Sequence, residues 1–129
     1  MKAEELMIDD WLCYEGEHNV QVKGIDLPPN GNSAFISFGA EFYPCDSFSP
    51  IPLTPEILEK NGFVLKEEEV GAYGINIAPY YMRKDVPFEV FCDGEPFAIW
   101  FKDPVNIAFV HQLQHALRLC GIKKEEIVL

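Results

Sequence analysis

The stretch SPIPLTPEILEKNGF, Ser49 to Phe63, constrains the fold most tightly. Pro50 and Pro52 each lock φ and lack an N–H, so this backbone runs extended and no helix can begin before Thr54. Thr54 then reads as N-cap, Pro55 as the first helical residue and Glu56 as an acid placed to complement the helix dipole. Ile57 and Leu58 give the segment a buried side. Asn61-Gly62 supplies a residue able to take positive φ, and Phe63 supplies the apolar contact that follows such a helix end. A helix of about two turns therefore divides the chain.

Before it the pattern is short strands. WLCYE (11–15) is followed by a turn over Glu15 to Asn19, and HNVQVKGI (18–25) alternates with Val20, Val22 and Gly24 on one face. LPPNGN (27–32) is a loop. SAFISFGAEFY (33–43) reads as one extended run, with Gly39 marking a bend or bulge.

After it, FVLKEEE starts as a strand and ends in a charged turn at Glu67 to Gly71. Tyr73 to Ile77 and Tyr80 to Lys84 read as further strands. FEVFCDGEPFAIWF (88–101) reads as a hairpin about an Asp93-Gly94 turn, a register that pairs Val90 with Phe97 and Phe88 with Ile99. Pro96 then faces Phe91, and its missing N–H makes that flank an edge. Asp103-Pro104 reads as the start of a second helix running to Gly121, with Val110, Leu113, Leu117 and Cys120 as its apolar stripe. On its other side gather His111, Gln114, His115 and Arg118. The tail Ile127-Val128-Leu129 reads as a last short strand.

These elements predict an α+β protein. The N-terminal half, 1–53, is expected as a curved β-meander or small partly closed barrel. The C-terminal half, 54–129, is expected as an antiparallel sheet with two helices, the halves packing as one unit. A chain of 129 residues with ten Phe, five Tyr and two Trp can build such a core without staples.

Twenty-one acids face ten bases, a formal net charge of −11. That field repels phosphate backbones and anionic membranes, which argues against direct nucleic-acid binding and against a membrane location. The N-terminus lacks the apolar core of a signal peptide, so a cytoplasmic location is expected. Cys13, Cys45, Cys92 and Cys120 are widely spaced without a CxxC, as in a reducing compartment. Cys45 alone sits in a loop, where Asp46 raises its pKa, the wrong direction for a nucleophile.

His111 and His115 have the spacing of two metal ligands on a helix face. Position 112 is Gln, however, so the HExxH pattern lacks its general base, and the cation Arg118 shares the face. Surface histidines are the plainer expectation, with no metal or cofactor. Neither GxSxG, a P-loop nor GxGxxG is present. Tyr80-Tyr81-Met82-Arg83-Lys84 mixes aromatic and basic residues, and Tyr80, Tyr81, Phe91 and Pro96 are the candidate interaction residues.

Two segments, PIPLTPEILEKNGF (50–63) and VHQLQHALRLCGI (110–122), resemble a group of small acidic uncharacterised proteins of gut Bacteroidetes, often prophage or mobile-element associated. LMIDDWLCYEGEHNVQVKGI (6–25) matches more weakly, since relatives tend to carry a basic or polar residue and a glycine before the tryptophan. The resemblance implies the same architecture and no assigned activity. It also implies that the histidine pair is not a site, because relatives carry other polar residues, often Asn, at position 115.

Function is therefore not legible from motifs. The leading expectation is a non-enzymatic protein-interaction module of mobile-element origin, contacting a protein partner, or a second copy as a homodimer, through an acidic face or an open hairpin edge near Pro96. The rivals are an enzyme whose site is assembled from scattered residues and an acidic mimic of nucleic acid.

Overall fold

The computed structural model describes residues 2–29, 34–66, 79–92, 95–100, 103–122 and 127–129. Their architecture is α+β: three antiparallel sheets and two α-helices.

In the N-terminal half, β1 (Trp11–Tyr14) lies between β2 (His18–Gln21) and β6 (Phe48–Pro50), and β4 (Phe35–Ser37) lies between β3 (Gly24–Asp26) and β5 (Phe42–Pro44). The chain crosses between these two sheets at two corners. At the first, Val22 N–H donates to Asp10 O at 2.9 Å while Lys23 N–H already donates to Ser37 O at 2.7 Å. One turn of 3₁₀ helix, Cys45–Ser47, makes the second; Cys45 N–H donates to Ala34 O, and Glu15 N–H to Ser47 O.

Two expected strands are therefore divided. HNVQVKGI bends from one sheet into the other, and the described part of the second run, 34–43, is a hairpin in which β4 turns back as β5. Ser37 drives that turn: its hydroxyl donates to Gly39 O at 2.7 Å and accepts from Gly39 N–H, a local bond that competes with continued extension. Leu6, Leu12, Val22, Ile36 and Phe48 fill the space between the sheets. Tyr14, Phe38 and Tyr43 close one side, their ring centroids 5.0 to 5.3 Å apart. The half is curved and partly wrapped, and among the described residues it is not a closed barrel.

The dividing helix α1 (Pro55–Lys60) forms as its sequence dictates. Thr54 Oγ1 accepts from Ile57 N–H at 3.3 Å, and Leu58 is fully buried. Its end is a Schellman motif: Gly62 takes φ +86°, Gly62 N–H donates to Glu59 O, and Phe63 N–H donates to Leu58 O. Gly121, with φ +85°, ends the second helix in the same way, with Ile122 N–H reaching Leu117 O.

Next comes a five-stranded antiparallel sheet in the order β11 (Asp103–Asn106), β10 (Phe97–Trp100), β9 (Phe88–Phe91), β8 (Tyr80–Met82), β7 (Val64–Lys66). Three expectations are corrected here. Ala98 pairs with Val90 and Phe97 with Phe91, one residue away from the expected register. A one-residue slip exchanges the faces of a strand. The observed choice turns small Ala98 inward beside Val90, where a helix packs, and leaves Pro96 outside the ladder, where its missing N–H costs no rung. Asp93 and Gly94 lie outside the described residues, as do the expected turn at 67–71 and strand at 73–77.

Second, β10 is not an edge, because β11 pairs along its other side. Third, Asp103-Pro104 does not start a helix. Those residues open β11, an edge strand that tolerates proline, and helix α2 runs only from Val110 to Leu119. Its start is set by Gln112, whose Oε1 accepts from Phe109 N–H at 3.1 Å. The preceding backbone is held by the Pro-rich segment: Leu53 N–H donates to Ala108 O, and Val110 N–H to Ile51 O.

Helix α2 lies on the inner face of this sheet. Val110, Leu113, Ala116 and Leu117 pack with Tyr81, Phe88, Val90 and Ala98, and with Ile51 and Leu53 from the N-terminal half. The tail at 127–129 is not a strand, a further correction. Instead Asn61 serves it as a strand would: its Nδ2 donates to Val128 O and its Oδ1 accepts from Val128 N–H, both at 2.7 Å.

Candidate functional site

Of the polar side of α2, His111 and Gln114 are buried, His115 is part-buried and Arg118 is exposed, which corrects the expectation of surface histidines. His111 is 3% exposed and Gln114 fully buried. Gln114 Oε1 accepts from Trp11 N–H at 2.8 Å, and its Nε2 donates to Asp9 O at 3.0 Å. It thus satisfies backbone groups where β1 begins, a need that a buried amide must meet. Asp10, also fully buried, accepts from Met7 N–H at 2.8 Å and lies 2.8 Å from His115 Nε2. The contact fixes the orientation of the His115 ring.

The two histidine rings lie edge to face, their centroids 5.7 Å apart. His115 Nε2 is taken by Asp10, while His111 stacks on Phe109 with ring centroids 6.0 Å apart. Among the described residues no group of three His, Cys, Asp or Glu is placed to hold a metal. His115 does line a depression of about 320 Å³ with Val105, Asn106, Gln112 and Leu119. An oriented imidazole is what a general base requires, but among the described residues no hydroxyl or thiol lines this depression.

The aromatic candidates divide by strand alternation. Tyr81 is 8% exposed and packs in the core, so it is not available to a partner. Tyr80 and Phe91 lie on the opposite face and are joined there by Phe97, which sequence reasoning missed. Tyr80 and Phe91 have centroids 5.7 Å apart; Phe91 and Phe97 stack at 5.3 Å with planes 12° apart. All three are half-buried on the face turned away from α2. The signal for Phe97 was present, since the correct hairpin register puts it directly opposite Phe91. Pro96 sits at the end of this row, beside a shallow depression lined by Glu95, Phe97, Pro104, Val105 and Asn106.

At the other end of the row the charge changes sign. Gly62, Val64, Lys66, Met82, Arg83, Lys84 and Asp85 line a cleft of about 430 Å³. Arg83 is held in place by Asp85, Nε to Oδ1 at 2.7 Å, and donates through Nη1 to Asn61 O at 3.3 Å. Val64 is 57% exposed and Met82 half-buried, so the cleft wall is apolar.

All four cysteines are free. Burial, then the charge of Asp46, pushes the Cys45 thiol above its ordinary value, so the structure agrees with the expected direction and makes burial the larger cause. Burial does the same to Cys92 and Cys120. Such thiols are poor nucleophiles.

No helix among the described residues is long and apolar enough to cross a membrane. Compared with protein-family models, with curated proteins and with solved structures, the chain matches none.

Proposed function

We propose that this protein is a non-enzymatic interaction module that binds a protein partner through the outer face of its five-stranded sheet. One observation carries the reading: Tyr80, Phe91 and Phe97 form a row across β8, β9 and β10 on the face away from α2. Rigid aromatic side chains offer large contact area at low entropic cost, and they dominate interface energetics. A protein partner is favoured over nucleic acid because 21 acids oppose ten bases. The four free cysteines support a cytoplasmic setting, and the resemblance of residues 50–63 and 110–122 to mobile-element proteins supports that origin.

Affinity capture from the native host, compared between the wild-type chain and Phe91→Ser/Phe97→Ser, tests the proposal. The expected result is a stoichiometric partner lost from the variant while its circular dichroism is unchanged. Retention of every partner by the folded variant contradicts it.

The buried Asp10–His115 pair beside a depression favours a second reading, an enzyme assembled from scattered residues. With no hydroxyl or thiol among the described lining residues, it stands behind the first.

A further inference from the structure

We infer that the cleft between β7 and the end of β8 binds a small organic acid, a carboxylate carried on an apolar body. The cleft's volume of about 430 Å³ lies within the range of small-molecule sites. Its lining combines what such a ligand needs: Val64 and Met82 for the body, and Lys66, Arg83 and Lys84 for the carboxylate.

The local charge is the stronger argument. Ten bases serve the whole chain, and three of them line this one cleft. Asp85, the one acid among the described lining residues, is engaged by Arg83 through two contacts, 2.7 Å from Nε and 2.9 Å from Nη2. Lys66 and Lys84 are exposed and have no ion-pair partner among the described residues. The run Glu67 to Glu69, which follows Lys66 in sequence, lies outside them. Two ammonium groups with no ion-pair partner among the described residues, set over an apolar wall in a chain of net charge −11, favour an anion at this cleft. A neutral apolar ligand would leave those charges unused, and a bare anion would leave Val64 uncovered.

Isotope-detected NMR titration of the intact protein with decanoate tests this, with decanol and acetate as the arms lacking charge and apolar body. Decanoate is expected to cause saturable amide shifts confined to residues 62–66 and 82–85, with neither control doing so. Lys66→Ala/Lys84→Ala is expected to weaken binding about tenfold, the effect of losing about 1.4 kcal/mol. Lys66→Arg/Lys84→Arg is expected to retain it. Both lysines are exposed, so these variants should keep their fold. Absence of saturable shifts, shifts elsewhere, equal binding of decanol, or an alanine variant within twofold of wild type would each overturn the assignment.

Discussion

His115, in the second turn of α2, and Asp10, just before β1, meet across 105 residues of sequence, Nε2 to Oδ2 at 2.8 Å. Asp10 is fully buried, whereas the His115 side chain is 27% exposed. The pair joins the two halves of the protein at the point where Gln114 also bridges to Trp11 and Asp9. A buried carboxylate so placed must keep its partners, because desolvation without them is unfavourable.

Replacing His115 by Ala should therefore destabilise the protein by about 2 kcal/mol, the cost of removing one hydrogen-bond partner from a buried carboxylate that keeps Met7 N–H. Urea denaturation reads this directly. A loss below about 0.5 kcal/mol would show that the contact is merely a surface ion pair in effect.

The Asn61 side chain holds the tail through two bonds of 2.7 Å to Val128. Asn61→Ala removes both, along with a third from Nδ2 to Ile57 O. The expected outcome is a loss of about 2 kcal/mol and faster amide exchange at Val128. Unchanged exchange at Val128 would mean that packing of Ile127 holds the tail alone.

Alkaline pH should weaken the fold. Burial raises the folded-state values of the Cys45, Cys92 and Cys120 thiols above their ordinary 9.0, and that of Tyr81 above 10.0. The native state thus holds these protons more tightly than the unfolded chain. Their contribution is fully present below the unfolded values and is lost as pH rises through the folded ones. The urea midpoint under reducing conditions should fall between about pH 8 and about pH 10.5. A rising midpoint would contradict the burial of these groups.

Local signals were legible in the sequence wherever they were self-contained. The Thr54 cap, the Gly62 and Gly121 helix ends and the antiparallel character of the second half all depend on residues a few positions apart. Asp103-Pro104 misled because the same dipeptide suits an edge strand, and pairing of β11 with β10 outweighs a cap. The hairpin register turned on Ala98, whose smallness matters only once α2 is seen to pack above it. Likewise, nothing local marks His111 or Gln114 as buried; a polar helix side reads as solvated until an element 100 residues away covers it. Tyr80 stood out in its aromatic-basic run and Phe91 as the residue expected opposite Pro96, while separating them from Tyr81 needed only strand alternation.

Site-specific photo-cross-linking in cells tests most directly whether the row Tyr80, Phe91, Phe97 meets a protein partner. A photoreactive phenylalanine analogue at position 91 should give a discrete heavier adduct, and the same analogue at exposed Phe42 should not. Adducts from position 42 alone, or none from position 91, would contradict the account.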